Sequence, residues 1–145
     1  MKADKSLEAV GIAAALHDIG LYKMPAIIQQ EDESKMTPDQ VDLYHSHPDL
    51  GSQIAESLRG LPSAVSQAIA QHHVRHGKHG FPAFSPSGGA NRIAEMIGIT
   101  DDFVRIVGTV EQEGLEERMK AFLMATTTGF SDEVVTAFKG MLVPE

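Results

Sequence analysis

The tetrapeptide Thr37-Pro38-Asp39-Gln40 does most to limit what this chain can fold into. Thr37 can cap a helix, Pro38 suits the first helical position, where no N–H is needed, and Gln40 completes a capping box. Similar helix punctuation recurs along the chain. A first helix is expected from Lys5 to Asp18, ended by Gly20. An extended loop with Pro25 and the polar stretch 29–35 follows. The helix begun at Pro38 should run to Arg59, kinked at Pro48, and stop at Gly60. Pro62 and Ser63 open another, which carries His72 and His73 near its end. A glycine- and proline-rich loop (76–89) precedes helices expected at Ala90–Val107, Leu115–Thr127 and Asp132–Leu142. Ser131 can cap the last, and Asp132 and Glu133 suit its positive end. Strand signals are nearly absent, and the best candidate, 101–110, fits a helix as well. The expected architecture is an all-α bundle in a single domain, 1–145.

Composition narrows the chemistry. The chain has no cysteine, so thiolate metal sites are excluded and any metal must sit on His, Asp or Glu. The net charge of -8 argues against a nucleic-acid-binding surface. No apolar stretch approaches the ~18 residues of a membrane span, and no secretory signal is visible. A soluble cytoplasmic protein is the expectation.

Seven histidines are present, and most stand near helix ends. His17 and Asp18 are adjacent at the end of the first helix. Asp18 has two oxygens, enough to bridge two metal ions, although the pair also reads as a polar helix end bonding the loop backbone. His45 and His47 are two apart and should point to different sides of a helix, so one at most joins a given site. His72 and His73 are adjacent, and His76 is four and three residues on. Those spacings allow either a local zinc pair or a polar loop rich in imidazole.

In order, these stretches resemble the HD-GYP family, a branch of the HD superfamily of metal-dependent phosphohydrolases. "LHDIGLYKMPAII" is similar to the family's HDIGK-x-x-x-P segment, and "MTPDQVDLYHSHPDLGSQI" to its HPxxG helix. "HHVRHGKHGFP" resembles the HHExxDGxGYP signature, and "NRIAEMIGITDDF" the later RI-x-x-x-x-D-x-x-D helix. The resemblance covers nearly the whole chain. It implies an HD-domain bundle and hydrolysis of cyclic di-GMP, a bacterial second messenger, with Fe or Mn ions.

Carried across, it implies metal ligands at His17, Asp18, His47, His72 and His73, with Asp18 central to catalysis and His45 a spectator. Asp18, His47, His72 and His73 would hold one ion of Fe or Mn, with Zn also suited. A second ion site is expected to be incomplete, with only His17 and Asp18. The family's late aspartate falls on Gly98, and Asp101 lies one helical turn away. The family's upstream histidine has no counterpart, as if the first helix or helices were missing. The lysine of HDIGK is Leu21, with Lys23 a candidate substrate contact two residues on. The glutamate of HHE is Val74, the acid of the DG pair is absent from a stretch that carries His76, and the GYP tyrosine is Phe81. Phe81 could still stack on a guanine but cannot donate a hydrogen bond. The expected function is a degenerate phosphohydrolase related to cyclic di-GMP enzymes. The alternative is a non-catalytic module, as in the related HDOD group, which lacks the metal ligands. Such a module would bind cyclic di-GMP, a diguanylate cyclase or another signalling domain.

Overall fold

In the computed structural model, residues 5–76, 80–82, 91–107, 114–126 and 128–142 are described. They form seven α-helices and no strand: α1 Lys5–Leu16, α2 Pro38–His45, α3 His47–Ser57, α4 Ser63–Gln71, α5 Arg92–Val107, α6 Leu115–Thr126 and α7 Asp132–Leu142. Two 3-10 turns, Ile19–Lys23 and Glu33–Lys35, lie in the long connection between α1 and α2. The all-α expectation holds. Gly77, Lys78, His79, Thr127 and the 83–90 part of the loop lie outside the described residues.

The capping box forms as read. Thr37 Oγ1 accepts from the Gln40 backbone, and Gln40 accepts from the Thr37 N–H. The single kinked helix expected to follow is instead two helices that break at Ser46. Pro48 has no N–H to give to the Tyr44 carbonyl, and that oxygen takes the Nδ1–H of His47 at 2.7 Å. At the other end α3 stops at Ser57, and Gly60, at φ 91°, shapes the turn beyond it. The Ser131 hydroxyl, at the start of α7, donates to Glu95 Oε2 at 2.6 Å.

Helix α4 packs against α1, α3 and α5. Their shared core is rich in small side chains, Ala9, Ala13, Ala55, Ala68 and Ala94, around Val65, Ile69 and Ile97. Alanine contacts let helix axes approach closely, which brings helix ends together on one side of the bundle. The far side of α5 packs on α6 and α7 through Ile99, Phe122, Phe130, Val134, Val135 and Phe138. A third cluster, Leu21, Met24, Ile28 and Tyr44, roots the α1–α2 connection. No helix among the described residues is long and apolar enough to cross a membrane.

Gly20 does not cap α1, as the sequence suggests, because α1 has already ended at Leu16. It lets the 3-10 turn after Asp18 lie directly on the start of α3. A Cβ there would sit 2.1 Å from the His47 carbonyl oxygen. Gly20→Ala is therefore expected to destabilise the protein by about 3 kcal/mol, through overpacking against rigid backbone. Chemical denaturation of the two proteins measures the difference.

Candidate metal centre

Three of the candidate histidines share one local device. The last four carbonyls of an α-helix have no partner within the helix. His17 follows the end of α1 and its Nδ1–H goes to the Ala14 carbonyl at 2.7 Å. His47 follows α2 and bonds Tyr44 in the same way, and His72 follows α4 and bonds Ile69 at 2.6 Å. In each case a last-turn carbonyl three residues back holds the ring. The proton on Nδ1 leaves Nε2 with its lone pair facing outward, which is how metal-binding histidines are usually set. The negative ends of three helix dipoles also converge here, which favours a cation.

These Nε2 atoms converge on Asp18. Asp18 Oδ1 lies 3.3 Å from His47 Nε2 and 3.5 Å from His72 Nε2, and the two nitrogens are 3.3 Å apart. Asp18 Oδ2 lies 3.0 Å from His17 Nε2. With the Nδ1 protons of His47 and His72 committed to carbonyls, acceptors face acceptors around Asp18 Oδ1. Donor atoms of Asp18, His47, His72 and His73 all lie within 4.8 Å of one another, as do those of His17, Asp18 and Asp101. His47, His72 and His73 are buried, whereas the second set is half-buried.

The residues fit a cation. Asp18 Oδ1, His73 Nε2 and Asp101 Oδ2 are buried without a hydrogen-bond partner. All three belong to the two ligand sets. Asp101 Oδ2 has the Arg105 guanidinium 3.4 Å away. Leaving a buried group unpaired typically costs about 1–3 kcal/mol, so Asp18 Oδ1 and His73 Nε2 together mark a site built for a partner other than protein. Three imidazoles with one carboxylate suit divalent Fe, Mn or Zn.

The sequence matches the HD-domain family over residues 2–121. The chain belongs to the HD-domain family. Its fold and its His/Asp cluster are those expected of a superfamily of metal-dependent phosphohydrolases. No curated protein and no solved structure matches the chain.

Within this HD domain the second ligand set differs from the sequence reading, which left His17 and Asp18 alone. Helix α5 supplies Asp101, whose Oδ1 is 3.9 Å from His17 Nε2. One turn earlier, Gly98 lies against the backbone. A Cβ on it would stand 2.3 Å from the His72 carbonyl oxygen and 2.8 Å from Arg75 Nη1. Position 98 is therefore committed to packing, and position 101 presents the carboxylate.

Other residues carry roles that spacing alone did not show. His45 joins neither ligand set, as the sequence suggests, but it has a structural role. It stacks on Phe81 at 4.0 Å and lies 3.0 Å from Glu33 Oε1. Phe81 stacks in turn on His73 at 4.3 Å. Two near-parallel rings that close cover both faces of Phe81, so it has only its edge to offer a ligand rather than a free face for a guanine. This stack aligns His73, the one ligand histidine whose ring is not held by a carbonyl three residues back. Leu21 is a core residue. Lys23 is exposed and does not line the adjoining cleft. His76 lies outside both ligand sets, 2.6 Å from the buried carboxylate of Glu95. Glu31 takes a left-handed backbone conformation, φ 55°, and accepts from the Tyr44 hydroxyl at 3.5 Å. Burial and the charges of Asp18 and Asp101 push its carboxyl above the usual range.

The two halves differ in protonation. Burial, then the neighbouring imidazoles and Arg75, push His73 down, and burial likewise lowers His72. At His17 burial also works against the charged form, but the hydrogen bond and charge of Asp18 outweigh it and raise it to about 9. Asp18 is held well below the ordinary carboxylate range. Burial opposes this, but the imidazoles of His17, His47 and His72 around its two oxygens prevail.

An ion entering the His17 half must displace a proton at neutral pH, whereas burial already keeps His72 and His73 uncharged. The affinity of the His17 half should therefore rise about tenfold per pH unit up to pH ~9. Metal-competition titrations up to that pH measure the slope. Gly98→Asp, which introduces the aspartate that the HD-GYP resemblance implies at this position, should destabilise the fold by about 3 kcal/mol and add no metal binding. Denaturation and metal analysis of the variant check both outcomes.

Proposed function

We propose that this HD domain is a metal-dependent phosphohydrolase of the HD-GYP type, divergent in its substrate contacts, acting on a phosphodiester such as cyclic di-GMP. The observation that carries this reading is the position of Asp18, with one oxygen facing His47 and His72 and the other facing His17. A carboxylate so placed suits a bridge. Asp18, His47, His72 and His73 would hold one ion, and His17, Asp18 and Asp101 a second, with Fe or Mn expected and Zn also suited. When bound, such ions supply a water of lowered pKa and polarise a phosphoryl oxygen.

The chain's own residues supply orientation and enclosure. The carbonyls of Ala14, Tyr44 and Ile69 fix the tautomers of His17, His47 and His72. Burial of His47, His72 and His73 keeps bulk water from one side of the centre, and the more open His17–Asp101 side leaves room for substrate. The missing lysine at position 21 would slow turnover, on the order of 100-fold or more for a lost cation that stabilises the transition state.

A second reading is favoured by one observation. With both faces of Phe81 covered, the cleft lacks a free aromatic platform for a base. On that reading the domain is a regulatory module that binds cyclic di-GMP, a diguanylate cyclase or another signalling domain without cleaving anything.

Metal analysis of protein purified without chelators, together with chromatography of cyclic di-GMP digests, separates the two. Hydrolysis predicts two ions per chain, loss of one in Asp101→Ala, and loss of turnover in Asp18→Ala. Metal-loaded protein that leaves cyclic di-GMP and its linear dinucleotide intact supports the regulatory reading. Absence of bound metal from the wild type counts against the phosphohydrolase.

A further inference from the structure

A cleft of about 380 Å³ opens over His73 and Phe81, and two guanidinium groups line it. They are not equivalent. Arg75 is held on every side. Its Nε and Nη2 donate to Asp102, Nη1 to the His72 and Val74 carbonyls, and Nη2 also to the Gly98 carbonyl. Its plane lies 4.5 Å over the Phe130 ring. Arg75 ties the loop after α4 to α5 and has no donor left for a ligand.

Arg105 is different. It follows Asp101 by one turn of α5. Its Nη2 donates to Asp102 Oδ1 at 2.5 Å and lies 3.4 Å from Asp101 Oδ2. Nη1 reaches only the Tyr44 hydroxyl, at 3.5 Å, and Nε has no partner among the described residues. The side chain is 37% exposed, against 10% for Arg75. The surroundings are acidic, with Asp101, Asp102 and Glu33 nearby, in a chain of net charge -8. Such a setting repels anions except where a cation with free donors faces the opening.

We propose that Arg105 is a phosphate-binding residue of this cleft, placed to hold a phosphate group at the Asp101 edge of the metal centre. A guanidinium fork matches two oxygens of a phosphate, and an arm already fixed by Asp102 loses little freedom on binding. Because Asp101 belongs to the ligand set with His17 and Asp18, a phosphate on Arg105 adjoins that set. The inference rests on the phosphohydrolase reading for the identity of its ligand, but Arg105 can be tested separately. Its removal leaves Asp102 paired with Arg75, so the fold is expected to persist.

The experiment is calorimetric titration of inorganic phosphate into wild type, Arg105→Gln and Arg105→Lys, each metal-free and manganese-loaded, with metal content and thermal unfolding measured in parallel. Arg105→Gln should weaken phosphate binding by about tenfold or more at unchanged metal content, and Arg105→Lys should recover part of it. Equal phosphate affinity in wild type and Arg105→Gln, or no phosphate binding to wild type, overturns the proposal even if the metal centre fills. Arg105-dependent phosphate binding by a protein that takes up no manganese upholds it and sinks the metal-dependent reading instead.

Discussion

Lone pairs crowd at one point of this protein. Asp18 Oδ1 faces the bare Nε2 atoms of His47 and His72, themselves 3.3 Å apart, with the unpartnered Nε2 of His73 in the same set. Among the described residues nothing donates a proton to Asp18 Oδ1 or to His73 Nε2. A folded chain tolerates this only when packing elsewhere fixes the groups and a cation neutralises them. The alanine-rich contacts of α1, α3, α4 and α5 provide the packing, and the ends of α1, α2 and α4 deliver the ligands.

The same few features serve both fold and chemistry. Pro48 breaks the helix, and the carbonyl it frees orients His47. Gly20 lets the turn after Asp18 rest on the His47 carbonyl, and Gly98 lets α5 rest on that of His72. Without either close approach Asp18 and Asp101 would not reach the histidines. Arg75 then locks the histidine loop to α5 through Asp102, and the same carboxylate steadies Arg105 at the cleft. A change at position 98 is thus not merely a lost ligand, because the space beside it belongs to a backbone oxygen and a guanidinium.

Much of the bundle was legible because helix signals are local. A capping box and a proline at the first helical position act within a few residues and form as read. The grouping of His17, Asp18, His47, His72 and His73 was legible through motif order rather than through geometry. What stayed hidden depends on distant partners. Asp101 was set aside because spacing from Arg92 pointed to position 98, and only the packing of α5 on His72 shows which turn faces the site. His45 looked idle because its partners, Phe81 and Glu33, are 36 residues after it and 12 before it in the chain. The tie from the Ser131 hydroxyl to Glu95 was hidden because that buried carboxylate sits on another helix.

The sequence by itself determined that the chain folds into helices, where the capping box starts one of them, and that any metal must be held by nitrogen and oxygen. Those are properties of short segments and of residue chemistry. Only the tertiary structure decided that Asp18 faces two ligand sets, that Asp101 completes the second, that Phe81 is covered on both faces, and that Arg105 rather than Arg75 keeps donors free. Each of these depends on how helix ends and side chains from remote parts of the chain approach within a few ångströms, a distance set by packing and not by any local rule.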